Sequence, residues 1–558
     1  MKSLYRILSL FIIAAFLLSS CGMLQSAGIG KSVTVSIVYG SEKRAWFEPL
    51  IEQFNSENHE TSTGERIIIE AEPMGSVESA ELILSEDIQP TVWSPASSAY
   101  IPVAEKRWRQ SHTEELAYND PEDLVLSPVV IAMWKPMAEV LGWPDEPIGW
   151  NDIAELATSE GGWSDYGYPE WGNFKLGHTH PDFSNSGVIS TIAEAYAGAG
   201  KQRDLTVQDL QSDQVYEFMS AVESAIIHYG RSTGFFADKM FTRGPSYLSA
   251  AVLYENLIVE QETARLNGQS SQLPVVAIYP EEGTFWSNHP YVILNTSWVT
   301  TEQQEAAQLF LDFLLDTPQQ EKAIEYGFRP ADPSIALDSP LDAQHGVDPN
   351  QPQTVLPVPS ADVIEEILTL WQETKKPVDL TVVMDISGSM EGEKIAAARS
   401  SLMEFVGLLD NRDRIEIILF SSDIITMSEL SELGPKRSEV QTRISGVIEQ
   451  GDTRLYDATL EAYERLEENG NPDHIRAIVV LTDGVDTMST SSLQDVIAEL
   501  APLSEEGGGN AIKIFTIGFG DNADEKTLQQ ISDITGGKQY QGDPTTIRDI
   551  YSDIATFF

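Results

Sequence analysis

The residues best suited to chemistry are Asp385, Ser387 and Ser389, three oxygen-bearing side chains at alternate positions of the loop Asp385-Ile386-Ser387-Gly388-Ser389. The run Leu380 to Met384 before them reads as a buried strand, and in a parallel α/β sheet ligands gather beyond the carboxyl ends of the strands. Alternate spacing lets one turn wrap a hard cation, and Gly388 permits the tight backbone path between the two hydroxyls. The loop is expected to open a helix near Glu391, whose N-terminal partial charge favours an anionic group arriving at the same place. Taken alone the pattern is weak, because Asp and Ser frequent turns simply to cap them.

Two further segments strengthen it. Gly451-Asp452-Thr453-Arg454-Leu455-Tyr456-Asp457-Ala458 precedes a helical pattern, and the apolar strand Ala477 to Leu481 runs into Thr482-Asp483-Gly484. Together the three segments closely resemble the metal-ion-dependent adhesion site of von Willebrand factor A domains, in which D-x-S-x-S is completed by a distant Thr and a distant Asp. The resemblance implies a divalent cation held by Asp385, Ser387, Ser389, Thr453 and Asp483, with Asp483 binding directly or through water. Asp452 stands where many relatives have glycine, and neither Asp452 nor Asp457 is assigned to the metal. Oxygen donors of this kind suit Mg, with Mn or Ca as alternatives. Two carboxylates and three neutral hydroxyls leave an open coordination position, so an Asp or Glu of a protein partner can complete the shell. No HExxH, phosphate loop or nucleophile elbow accompanies the site, which points away from an enzyme.

The elements that position these residues restart after Lys376-Pro377 as DLTVVMD, RIEIILF, IRAIVVLTDG and IKIFTIGFG, separated by helical patterns. Residues 377–558 therefore read as one doubly wound, Rossmann-like domain. Upstream, residues 32–335 also alternate apolar β-branched runs with helical patterns, as in VTVSIVYG, AWFEPLIEQFN and RIIIEAEPM. Between the two, the proline-rich stretch from Asp332 to Pro359 reads as a linker or covering loop. Val363, Ile364, Ile367, Leu368 and Trp371 then fall at helical spacing, so a short amphipathic helix within 336–376 must cap one of the two domains.

Several segments of 32–335 resemble two-lobed extracellular solute-binding proteins of the periplasmic type: Tyr39-Gly40-Ser41, Trp93 to Ser98, the crossover Leu126 to Ala132, Gly177 to Gly187, and Tyr279 to Trp286, with Tyr254-Glu255-Asn256 approaching. The resemblance implies lobe one at 32–125 with 275–335 and lobe two at 126–274. It also implies a hinged cleft in which Ser41, Ser97, Ser184, Ser186 and Thr284 are solute-binding candidates. His178 and His180 form a single pair without nearby matching ligands and read as turn residues rather than metal ligands.

At the start of the chain, Lys2 and Arg6 precede the apolar run Ile7 to Leu18, which has the length and flanks of an export signal. Leu18-Ser19-Ser20-Cys21 resembles the lipobox of bacterial lipoproteins, implying a signal at 1–21, lipidation of Cys21 and a tether at 22–31. Acyl chains on Cys21 would hold the exported protein to a membrane, facing the cell exterior or periplasm. Cys21 is the only cysteine in the 558 residues, so no intrachain disulfide forms. The formal charge of -51 repels nucleic-acid phosphates and argues against a nucleic-acid partner.

Two functions fit these features. One is a lipid-anchored binding protein that captures a protein partner through its metal while the N-terminal unit binds a small solute or serves as scaffold. The other is the solute-binding component of a membrane transport system, docked through the C-terminal domain.

Overall fold

The computed structural model describes residues 31–505, 512–520 and 522–558. Cys21 and the export signal lie outside the described residues.

Lobe one forms around the strand Ser32–Tyr39, which pairs in parallel with Arg66–Pro73 on one side and Val92–Ser94 on the other. Pro290–Ile293 and Glu122–Asp123 extend this sheet in antiparallel fashion. Helix Arg44–Glu57 lays Trp46, Phe47, Leu50, Ile51 and Phe54 against it. These are the i, i+1, i+4, i+5, i+8 positions of one helical face.

The chain then crosses into lobe two along Val125–Trp134, whose ten residues are nearly all buried. Ala250–Tyr254, Val275–Ile278 and Trp286–Ser287 pair with it antiparallel. Arg329–Pro330 closes its first residues. The strand Val275–Ile278 thus belongs to the sheet of lobe two, whereas the sequence division put it with lobe one. An apolar run of four fits either sheet by periodicity, and only the pairing decides.

The proline-rich stretch lies over the N-terminal unit as a covering loop. Leu341, Val347 and Leu356 are buried beneath it, and the backbone of Thr284 exchanges hydrogen bonds with that of Thr354 and Leu356. Helix Ala361–Thr374 follows and buries Val363, Ile364, Ile367 and Trp371. It packs on helices Asn185–Gly198, Asp213–Glu223 and Ile101–Trp108. The amphipathic segment expected from its spacing therefore caps the N-terminal unit.

The C-terminal domain has one six-stranded sheet in the order Ile424–Glu432, Arg414–Phe420, Val378–Asp385, Ile475–Thr482, Lys513–Phe519, Gln539–Gly542. All neighbours are parallel except the first pair. The central strand has no polar face: all eight of its residues are buried. Val383 joins Ile418, Ile478 and Val480 on one side, against helices Leu455–Asn469 and Glu525–Ile534. Val382 and Met384 face the other side, toward Ala398, Leu402, Phe405, Ile550 and Ile554. Helices on both faces of a parallel sheet leave its carboxyl edge as the open place for a ligand.

Candidate metal centre

Asp385 ends the central strand and Asp483 follows the neighbouring one, so the sheet register itself sets the two carboxylates side by side. Ser387 donates its backbone N–H to Asp385 Oδ1 at 2.7 Å, and the Thr482 hydroxyl donates to Asp385 Oδ2 at 2.6 Å. Ser387 Oγ and Ser389 Oγ lie 2.9 Å apart, and Ser389 Oγ donates to Asp483 Oδ1 at 2.6 Å. The loop tightens into the turn Gly388–Met390, and Gly392 takes φ +85° before the helix Glu393–Leu408 begins. The helix starts two residues later than its expected position near Glu391.

The threonine loop is docked directly onto this turn. Gly388 N donates to Gly451 O at 3.0 Å, and Gln450 N donates to Ile386 O at 2.6 Å. Gly451 carries the left-handed backbone, with φ +74°, so Asp452 does not need it. An aspartate therefore fits at 452 without backbone strain, although the resemblance leads one to expect glycine there. A Cβ on Gly484 would lie 3.5 Å from Thr453 Oγ1 and 3.8 Å from Ser389 Oγ. The two hydroxyls therefore border the same space, which Gly484 keeps clear. Asp457 is held away by Arg454 and by the backbone N–H groups of Thr490 and Ser491. The five predicted residues Asp385, Ser387, Ser389, Thr453 and Asp483 come together on three loops.

Asp385 and Asp483 are both fully buried. Burial pushes the Asp385 carboxyl up to about 6, against the opposing effect of its hydrogen bonds to Thr482 and Ser387. A pair of buried carboxylates backed by hydroxyls is a hard-oxygen donor set that suits a divalent cation. One further residue belongs to the site, missed by sequence reasoning: Lys394, on the helix after the loop, pairs with Asp483 Oδ2. Its signal was only a cation in the first turn of the helix that the loop opens.

The solute candidates distribute differently. Ser41 of lobe one donates to Ser232 Oγ of lobe two at 3.0 Å, and Ser97 donates to Asn185 Oδ1 at 2.6 Å. Ser184 and Ser186 meet Thr233 Oγ1 at 3.2 Å and 2.8 Å. These four line the seam between the lobes, where hydrogen bonds pair them across it or beside it. The first N–H groups of helix Ser76–Leu84 are likewise taken, by Phe183 O at 3.2 Å and 3.1 Å. Thr284 is not part of this group; its hydroxyl donates to Val129 O on the hinge strand at 2.5 Å.

The C-terminal domain meets the N-terminal unit with the opposite end of its sheet. Arg412, just before a strand, donates to Glu373 O at 2.8 Å and Lys375 O at 3.1 Å, closing the C-terminus of the capping helix. Lys375 Nζ donates to Phe558 O at 3.0 Å, Tyr229 N to Phe557 O at 3.3 Å, and Arg243 to Gly537 O at 3.2 Å. The metal-site loops, at the carboxyl ends, point away from this junction.

Comparison with known proteins agrees with this division. Residues 379–551 match the von Willebrand factor type A domain. Residues 35–329, more than half of the chain, match the bacterial extracellular solute-binding protein model. The chain belongs to the bacterial extracellular solute-binding protein family. In this member a von Willebrand A domain follows the solute-binding unit, and both are binding modules. Over 163 residues, 28% of this chain and 18% of the relative, it is 28% identical to inter-alpha-trypsin inhibitor heavy chain H3 of Mus musculus. The chain thus spans less than a fifth of that curated relative's length. Among solved structures, a periplasmic thiamin binding protein matches with TM-score 0.44 and 14% identity, over 62% of this chain and 96% of that one. A von Willebrand factor type A protein from Catenulispora acidiphila matches with TM-score 0.28 and 20% identity, over 32% of this chain and 42% of that one. Among the described residues, no helix is long and apolar enough to cross a membrane.

Proposed function

We propose that the protein is an exported, lipid-anchored binding protein that captures an acidic group of a protein partner through a divalent cation in its von Willebrand A domain. The observation that carries this reading is the direction of the site. Asp385, Ser387, Ser389, Thr453 and Asp483 sit at the carboxyl edge of the sheet, and the solute-binding unit is docked on the amino edge, so the partner-facing end is free. Gly388 and Ser389 are exposed, and Val485 and Met488 leave apolar side chains about half exposed on the loop after Asp483. Exposed apolar side chains beside a cation with an open position suit a protein surface better than a free small acid.

The cation is Mg, with Mn or Ca as alternatives, and it would neutralise the buried aspartates and polarise an incoming carboxylate. Cys21 supplies the membrane anchor. A second reading, capture of a small solute for a transport system, is favoured by the family of residues 35–329. Solute entry would require the lobes to part about Val125–Trp134, breaking the Ser41–Ser232 and Ser97–Asn185 bonds.

The test is calorimetric titration of the full chain with Mg, Mn and Ca, beside Asp385→Ala and Thr453→Ala. Saturable binding to the wild type, lost in both variants, supports the site. Equal cation affinity in all three sinks it.

A further inference from the structure

A second cluster of potential ligands lies inside lobe two, far from the metal-site loops and in a different domain. His178 follows the strand Leu176–Gly177, Glu194 projects from helix Asn185–Gly198, and Glu223 ends helix Asp213–Glu223. All three side chains are fully buried. One nitrogen or oxygen from each lies within 4.8 Å of the others.

The hydrogen bonds around the cluster fix what each atom has to offer. His178 Nδ1 is 2.7 Å from the Thr179 carbonyl, which can only accept, so Nδ1 carries the proton. The other ring nitrogen, Nε2, faces Glu223 Oε1, 3.0 Å away. A proton or a metal ion between Nε2 and Oε1 is what holds two such atoms at that distance. Glu223 accepts from Trp371 Nε1 at 3.0 Å on one oxygen and from the Tyr229 hydroxyl at 2.6 Å on the other, which leaves lone pairs on both. Glu194 Oε1 accepts from Ser190 at 3.0 Å, but Glu194 Oε2 is buried with no hydrogen-bond partner. Among the described residues no Lys or Arg forms an ion pair with either glutamate, and the basic group within reach is the His178 ring. Burial, reinforced by Glu223, makes the Glu194 carboxylate costly to keep ionised.

We propose that His178 Nε2, Glu194 and Glu223 hold a buried zinc ion that locks lobe two to the helix leading into the von Willebrand A domain. A neutral imidazole and two carboxylates carry two negative charges, which one divalent ion cancels in a site otherwise without a cation. A mixed nitrogen and oxygen set is zinc chemistry, and tetrahedral bonds of about 2.0–2.2 Å put neighbouring ligand atoms roughly 3.3–3.6 Å apart. The 3.0 Å between Nε2 and Oε1 is a few tenths of an ångström shorter, so the two atoms would part slightly to admit the ion. The surrounding donors match the outer shell that metal ligands need: a backbone carbonyl orients the histidine, and Trp371, Tyr229 and Ser190 orient the carboxylates. Trp371 belongs to the capping helix, so the ion would connect three elements of lobe two, through the Trp371 hydrogen bond to Glu223, to the segment that carries the second domain. Complete burial excludes substrate, and the role is structural.

The experiment uses the full chain in an Asp385→Ala background, which removes the adhesion-type site. Equilibrium dialysis against zinc after chelator stripping should load one ion per chain, released to EDTA over hours rather than seconds. X-ray absorption should find one imidazole among oxygen ligands. Glu194→Gln, nearly isosteric, should lower zinc affinity by roughly a hundredfold or more. If the Asp385→Ala chain folds yet binds no zinc, the cluster holds protons only and the proposal fails. Equal affinity with and without Glu194→Gln also overturns it. Should the Gln variant not fold, release within seconds or a shell without imidazole overturns it, whereas slow release with one imidazole supports it.

Discussion

Lys394 reaches back from its helix to Asp483 and pairs with the carboxylate oxygen that Ser389 does not use. The ammonium is about a quarter exposed, whereas the aspartate is fully buried. One buried carboxylate of the metal centre thus carries a resident cation, and Asp385 has only the Thr482 hydroxyl and the Ser387 N–H.

Lys394 therefore competes with a divalent ion for the charge on Asp483. Like charges a few ångströms apart at an effective dielectric near 20 repel by a few kcal/mol, reduced here by partial exposure. Lys394→Met should raise Mg affinity of the full chain by roughly three- to tenfold in calorimetric titration. A fall in affinity would instead make Lys394 the residue that holds Asp483 in its binding position.

Asp385 makes the opposite trade. Its carboxylate is buried and raised to about 6, which is a cost to the cation-free protein near neutral pH. Asn at this position keeps an oxygen for the Ser387 N–H, turns its NH2 toward the Thr482 hydroxyl, which can accept instead of donate, and carries no charge. Asp385→Asn is expected to abolish Mg binding while raising the urea midpoint in EDTA, by about 1–3 kcal/mol of stability. A lower midpoint would mean that the charge itself is used by the loop.

How much of this was legible follows from sequence distance. Asp385, Ser387 and Ser389 share one loop after an unbroken apolar strand, and Thr453 and Asp483 each sit at the end of an equally plain element. Periodicity therefore placed the domain, and the resemblance to the adhesion site of von Willebrand A domains, not periodicity, named the five candidate residues. The helix around Trp371 was visible from spacing, but its partner was not, because an apolar stripe does not name the surface that covers it. His178 read as a turn residue since Glu194 and Glu223 lie 16 and 45 positions away, on helices whose relative placement only packing determines. Thr284 failed to join the other seam hydroxyls for a similar reason: its neighbour turned out to be the hinge strand. Strand Val275–Ile278 fell in the other lobe because four apolar residues carry no information about which edge they pair with.

The seam also contains a buried charged group with a definite pH signature. His289 lies 3.2 Å from Glu42 Oε1, poorly aligned for a hydrogen bond, and both ring nitrogens are buried without a hydrogen-bond partner. Burial, with Lys43 nearby, lowers the His289 imidazole to about 4. Burial acts to raise Glu42, but Lys43 and His289 bring it down to about 2. A histidine depressed in the folded state takes up its proton more readily when unfolded, so folding stability falls as pH drops from about 6.5 to about 4. Glu42 adds a loss of the same sign at lower pH, and buried His180 and His228 are shifted in the same direction as His289. His289→Asn, suited to the φ of +42° at this position, should remove up to about 3 kcal/mol of the acid loss between about pH 7 and about pH 4. Urea unfolding followed by tryptophan fluorescence checks it, and an unchanged pH slope in the variant would discount His289.

Closure of the lobes rests on hydrogen bonds that single substitutions can unbalance. Ser97 Oγ donates to Asn185 Oδ1, while Asn185 Nδ2 donates to the Tyr254 hydroxyl at 2.9 Å. Ser97→Ala leaves a buried amide oxygen without its donor, at a cost of about 1–3 kcal/mol that water relieves once the lobes part. The ion pair Arg231 to Glu78 also spans the seam but is partly exposed, so its loss should matter less. Small-angle scattering should therefore find a larger radius of gyration for Ser97→Ala than for wild type, and a smaller increase for Arg231→Ala. Identical curves for all three would mean that apolar packing, and not the hydroxyl seam, keeps the solute-binding unit shut.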